Sequence, residues 1–238
     1  MGEKSEKRVL FVGNSHTYFN DMPRIFSGLA AAAGRRVGVS MLAQPGVTFG
    51  WHLQSPDLRF ALLHGGFDAV FFQQAAHSPA PAREETLRDG AELIRRAKAC
   101  GMRQILTVPW AEREKPERQA AMLETFSSLA AATGAECSPV GVVFERVLKE
   151  RPDIDLYWLD GAHCSPLGSY VNALCAYATF FHASPEGLPA ASLSTHAEDG
   201  RPYEMKAAET RLDEEACALL QRFVWQASRE ARSGRRTG

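Results

Sequence analysis

Apolar positions along this chain fall into two alternating kinds of run. The first kind is short and continuous: RVLFV at 8–12, FDAVFF at 67–72 and MRQILTV at 102–108. Continuous rather than alternating apolar runs suit parallel strands buried on both faces. The second kind follows the helical period. Met22, Ile25, Phe26, Leu29 and Ala33 share one face, as do Leu87, Ala91, Ile94 and Ala97, and as do Met122, Phe126, Leu129 and Thr133. Glycine separates the two kinds. Gly34 precedes RRVGVSML, Gly66 precedes FDAVFF, Gly101 precedes MRQILTV and Gly134 precedes AECSPV. Glycine just past a helix is the usual left-handed stop, so each unit reads helix, cap, strand. With RVLFV first, the pattern predicts an α/β fold, a three-layer α/β/α sandwich around a five-stranded parallel, flavodoxin-like sheet. Further helices are expected at about 166–182 and about 204–228, with the Pro- and Gly-rich stretch 184–203 as a loop.

Composition narrows this picture. A chain of 238 residues, 45% of them hydrophobic, can bury one sizeable core, so a single domain over 1–238 is expected, with its core at about 8–188 and a disordered tail at 229–238. The formal net charge is -1, which offers no field to recruit nucleic acid or an anionic membrane. No apolar run approaches the roughly 20 residues of a membrane span. The charged start leads straight into the first strand, with no apolar stretch resembling a signal peptide. Five cysteines at irregular spacing suit reduced, mostly buried thiols, and the expected location is cytoplasmic. No CxxC or HExxH spacing occurs, so no metal and no other cofactor is expected.

In an open parallel sheet, ligands bind outside the carboxyl ends of the strands. The residues placed there are Gly13-Asn14-Ser15-His16-Thr17, then AQPGVTFGWH, QQAAHS and PWAERE, with LDGAHCSPLGSY late in the chain. Small polar residues at a strand-to-helix corner are also what an ordinary turn requires. The set as a whole is biased toward hydrolysis. Ser15 is a candidate nucleophile, and Asp160 and His163 sit three apart in a Gly-containing loop, where the carboxylate can reach the imidazole and fix its tautomer. Gly46, behind Pro45, can present an unobstructed backbone N–H to a reacting carbonyl, although Pro-Gly also spells a type II turn. Asn14 and His16 are expected on the substrate side, as is Trp110, for which an aromatic lid on the core is the alternative reading. His16 and His52 read as hydrogen-bonding groups rather than metal ligands.

The blocks GNSHT, PGVTFGWH and DGAHCSPLGSY, in that order, resemble those of the SGNH (GDSL-like) hydrolases. The resemblance spans about residues 8–188. It implies Ser15 as nucleophile, Gly46 with the Ser15 backbone N–H as oxyanion donors, and Asp160 and His163 as the rest of a triad. Asn14 stands where the family usually has Asp. One block departs: the family's Gly-x-Asn-Asp, whose Asn donates to the oxyanion, is here FFQQAAHSP. Gln73 and Gln74 lie near the strand end and His77 falls about where that Asn would, leaving Gln74 and His77 as alternative third donors. The implied function is a serine esterase acting on small-molecule or carbohydrate esters, O-acetyl groups among them. An acyltransferase with the same triad and a non-catalytic flavodoxin-like binding module are the alternatives. Oligomeric state is not legible.

Overall fold

A computed structural model of the chain describes residues 6–77, 80–189 and 213–234. The chain alternates strands and helices: β1 (Lys7–Gly13), α1 (Ser15–Tyr18), a 3₁₀ turn (Phe19–Asp21), α2 (Met22–Ala32), β2 (Val37–Ala43), α3 (Phe49–Gln54), α4 (Pro56–His64), β3 (Ala69–Phe72), α5 (Arg83–Ala99), β4 (Arg103–Thr107), α6 (Arg118–Thr133), β5 (Glu136–Ser138), α7 (Val140–Glu150), α8 (Pro166–Phe181) and α9 (Glu214–Ser233). The strands form one five-stranded parallel sheet in the order β2-β1-β3-β4-β5. The fold class expected from the sequence is the one observed.

The pleat divides the central strands between two cores. Val9, Phe11, Ala69 and Phe71 face α2, α7, α8 and α9, whereas Leu10, Val12, Val70 and Phe72 face α3, α4, α5 and α6. Burial on both faces explains why these strands read as unbroken apolar runs. All four separating glycines, Gly34, Gly66, Gly101 and Gly134, have φ between 62° and 78°. A side chain at such a φ is strained, so the glycine ends each helix and turns the chain into the next strand.

The sequence order places a crossover reversal at β1. The chain leaves β1 for the edge strand β2 and returns to β3 on the other side of β1. Chains diverging from the carboxyl ends of β1 and β3 open a crevice there. Val12 stands opposite Phe72, so the residues after both strands, Asn14 onward and Gln73 onward, enter that crevice at one level.

α8 begins as expected, with Ser165 as its N-cap accepting from the Gly168 N–H at 3.1 Å. α9 differs from expectation. Its described part starts at Glu214, behind an Asp213 cap, and it continues through Ser233 instead of stopping near 228. Arg229, Glu230, Ala231 and Arg232 are good helix formers, and Arg146 of α7 pairs with Glu230 at 3.4 Å, so the charged end stays helical. The expected helix start at 204–212 and most of the 184–203 loop lie outside the described residues.

Candidate active site

The corner after β1 is built from side chains that satisfy backbone groups. Asn14 caps α1: its carbonyl oxygen accepts from the His16 N–H at 3.1 Å, and its amide donates to the Val47 carbonyl at 3.0 Å. Gln73, at the end of β3, accepts from the Asn14 N–H and the Thr17 hydroxyl, both at 3.0 Å. Gly13 makes room for this: a Cβ there would sit 2.7 Å from the Gln73 Oε1 and 2.2 Å from the Thr17 Oγ1. His52 of α3 donates to the Gly13 carbonyl at 2.8 Å. The corner is thereby fixed from two sides, with Ser15 as the first helical residue. Its backbone N–H belongs to the first turn, which has no partner within a helix.

The second half of the site is the loop between α7 and α8. Tyr157 and Cys164 form an antiparallel bridge, and Trp158 N–H donates to the His163 carbonyl at 2.8 Å. Gly161, at φ 68°, turns the loop tip back. Three bonds from the segment after β4 tether this loop: the Trp110 indole to the Ala162 carbonyl at 2.9 Å, Arg113 N–H to the Gly161 carbonyl at 2.8 Å, and the Tyr157 hydroxyl to the Ala111 carbonyl at 2.9 Å. Asn20 adds a link from the other half. Buried in the left-handed region at φ 53°, a conformation Asn tolerates, it donates to the Cys164 carbonyl at 3.0 Å and the Ser169 hydroxyl at 2.8 Å.

These tethers bring Ser15, His163 and Asp160 into one line. The His163 Nε2 is 2.8 Å from the Ser15 Oγ, and its Nδ1 is 2.6 Å from the Asp160 Oδ2. Asp160 Oδ1 accepts from the Ala162 and His163 N–H groups, each at 2.9 Å. Burial alone would raise the Asp160 pKa, but the bond from the His163 ring and the two backbone donors outweigh it and lower it to about 2. An ionised carboxylate only accepts. The His163 Nδ1 therefore carries a proton, and in the neutral imidazole Nε2 is left to accept from the Ser15 hydroxyl.

The imidazole of His163 lies between two other rings. His16 stacks on one face, with centroids 4.6 Å apart and planes inclined by 17°. Phe19 also stacks on it at 4.4 Å and 23°. His16 in turn meets the edges of Trp110 at 5.0 Å and His77 at 4.2 Å. Burial lowers its pKa well below the ordinary histidine value, and the neighbouring His77 and His163 lower it further against a small opposing pull from Asp160. The Nδ1 atoms of His16 and His77 are buried with no hydrogen-bond partner among the described residues.

Asn14, His16 and Trp110, expected on the substrate side, are all buried, at 1%, 7% and 2% exposure. Asn14 is spent on the corner, and Trp110 stacks on Phe144 and holds the His163 loop. Both alternative third donors have hydrogen-bond partners in this structure. The Gln74 oxygen accepts from the Phe49 and Ala75 N–H groups at 2.8 and 3.0 Å, which fixes the amide orientation, and its NH₂ points to the Thr86 hydroxyl at 3.4 Å. His77 donates from Nε2 to the Trp110 carbonyl at 3.2 Å. Gly46 is exposed at φ 68°, with open space where a Cβ would go, and Val47 N–H lies 3.5 Å from the Gln44 carbonyl. That is the Pro-Gly turn geometry the sequence also allowed. Sequence reasoning missed the positions of Gln73, Asn20 and Phe19. The spacing of His16 and Phe19, three apart directly behind Ser15, was the available signal for one of them.

Among the described residues no helix is long and apolar enough to cross a membrane, and no three His, Cys, Asp or Glu side chains form a metal-holding group.

No protein-family model matches the chain, and no curated protein does. Solved structures do match. A protein from Slackia heliotrinireducens assigned to the SGNH hydrolases is 29% identical, with a TM-score of 0.63, over 74% of this chain and 100% of its own. A DUF4886 family protein from Bacteroides uniformis is 15% identical, with a TM-score of 0.71, over 94% of this chain and 95% of its own. An acetyl-xylooligosaccharide esterase from Geobacillus is 18% identical, with a TM-score of 0.56, over 76% of this chain and 95% of its own.

Proposed function

The chain has the fold of the SGNH hydrolases, and from that premise we propose that it is a serine hydrolase cleaving carboxylic esters. The observation that carries the reading is the continuous line from the Ser15 Oγ through the His163 ring to Asp160, at 2.8 and 2.6 Å. Nucleophile, base and orienting carboxylate are each within hydrogen-bond reach of the next.

In this reading the Ser15 Oγ attacks the ester carbonyl carbon while its proton passes to the His163 Nε2. Asp160 holds the imidazolium by its Nδ1–H. The tetrahedral oxyanion collapses as His163 gives the proton to the leaving alkoxide, and the acyl group stays on Ser15. Water, deprotonated by His163, then releases the acid and regenerates the hydroxyl. Backbone N–H groups of Ser15 and Gly46 are the proposed oxyanion donors. With Gln74 and His77 committed elsewhere, two donors have to suffice. A missing third typically costs about 100–1000-fold in rate, so modest turnover is expected.

Small-molecule and carbohydrate esters are the substrate classes to test. The acetylated substrate named for the Geobacillus neighbour supports including O-acetyl sugars. A panel of p-nitrophenyl esters and acetylated xylooligosaccharides, assayed with wild type and Ser15→Ala, tests the reading. Ser15→Ala should abolish hydrolysis and labelling by a fluorophosphonate, with the thermal midpoint within a few degrees of wild type, because a half-buried hydroxyl at the first position of a short helix carries little packing. Wild-type rates in Ser15→Ala would refute it.

A further inference from the structure

We propose that His16 and Phe19 form a clamp that holds the imidazole of His163 in the one orientation that serves Ser15, which makes both of them positioning residues for proton transfer. The inference rests on the reading of His163 as the general base and goes beyond it.

The hydrogen bond to Asp160 fixes one end of the imidazole but leaves it free to rock about that bond. Flat surfaces on both faces remove that freedom. His16 and Phe19 supply them at centroid distances of 4.6 and 4.4 Å, with small interplanar angles of 17° and 23°. Both plates come from the segment that carries the nucleophile, Ser15–Phe19, so nucleophile and base are registered to one short piece of backbone. The His16 plate is itself immobilised: it is buried, its N–H is capped by Asn14, and the edges of Trp110 and His77 press on it. The Phe19 plate is backed by Trp158, with centroids 6.3 Å apart. Aromatic faces also accommodate the positive charge that His163 gains during attack. A charged His16 could not serve this way, and burial keeps it neutral. The unpartnered Nδ1 fits the same role, because a plate is used for its face rather than its nitrogens.

The test replaces the face while keeping the volume. His16→Leu and Phe19→Leu should lower kcat on p-nitrophenyl acetate by about 10–100-fold, the scale of a small misalignment, and leave KM within about twofold. His16→Phe should restore kcat to within about threefold of wild type, because the ring returns without its nitrogens. Thermal midpoints of all variants, measured in parallel, separate misalignment from unfolding, and Phe19, which is only partly buried, provides a substitution that the fold tolerates. Wild-type kcat in both leucine variants, with Ser15→Ala inactive, would overturn the clamp and leave the hydrolase reading standing. A His16→Phe enzyme as slow as His16→Leu would also overturn it, since the ring nitrogens would then be what matters. An active Ser15→Ala would remove the base reading and the clamp with it.

Discussion

At the scale of single residues, the candidate site divides into the line of Ser15, His163 and Asp160 and the groups that hold that line still. Gln73 is the clearest of the second kind. Replacing it with leucine strands the Asn14 N–H and the Thr17 hydroxyl, both buried. A buried donor left without a partner costs about 1–3 kcal/mol, so Gln73→Leu should lower the thermal midpoint and reduce kcat by loosening the Ser15 corner. A calorimetric scan and an initial-rate assay check both. Gln74→Ala and His77→Ala make the opposite case. Since their donors face Thr86 and Trp110, each should keep kcat within about tenfold, short of the 100–1000-fold loss of an oxyanion donor. A loss of that size in either would show that the side chain reorients in the transition state. Ser15, Asp160 and His163 were legible in the sequence because their types and strand-end loops already limit what they can touch. The destination of Gln74 was not, because it is set by two backbone N–H groups, one of them from Phe49, 25 positions away. Whether Trp110 would line a pocket or cover the core was undecided for the same reason, since its partners Phe144 and Ala162 come from later elements.

At the scale of elements, the sequence is most legible where one local rule decides. The four helix-ending glycines mark their strands correctly because a positive φ is a property of the residue itself. The C-terminal limit of α9 was misjudged because its end is stabilised by a distant partner, Arg146 on α7. Some contacts between elements are equally intolerant of change. Gly141, in the first turn of α7, lies against the segment after β4, its N–H bonded to the Val108 carbonyl at 3.0 Å, and a Cβ there would lie 1.9 Å from the Pro109 carbonyl oxygen. Gly141→Ala must push α7 off that loop. A destabilisation of at least about 2 kcal/mol is expected, which in a domain of this size lowers the thermal midpoint by about 4–8 °C. An unchanged midpoint would show that α7 can shift at no cost.

At the scale of the whole molecule, the buried His16 and His52 and the half-buried His77 are expected to make the fold sensitive to mild acid. Burial is the main reason that His16, His52 and His77 all have pKa values below the ordinary 6.5. Between that value and their lowered folded values, the unfolded chain binds protons that the folded chain refuses. Stability therefore falls as pH drops below about 6.5, each group adding a slope of up to about 1.4 kcal/mol per pH unit. The carboxylates with lowered pKa, Asp160 among them, begin to weaken the fold only below their ordinary values near 4. Thermal midpoints should thus decline between pH 6.5 and 5, and His16→Phe should flatten the decline; an equal slope in that variant would exclude His16 as a contributor. A treatment with EDTA should leave the ester hydrolysis rate unchanged, and a loss restored by Zn²⁺ would contradict this. The tether from Trp110 to the His163 loop has an optical consequence. A buried indole packed on Phe144 and donating to Ala162 emits in the blue and is shielded from iodide, whereas Trp51 and Trp158, at 46% and 41% exposure, are open to quenching. Under iodide, the fluorescence that persists would carry the signals of Trp110 and of the half-buried Trp225, so in a Trp225→Phe background any ligand that shifts the His163 loop would announce itself as a change in colour.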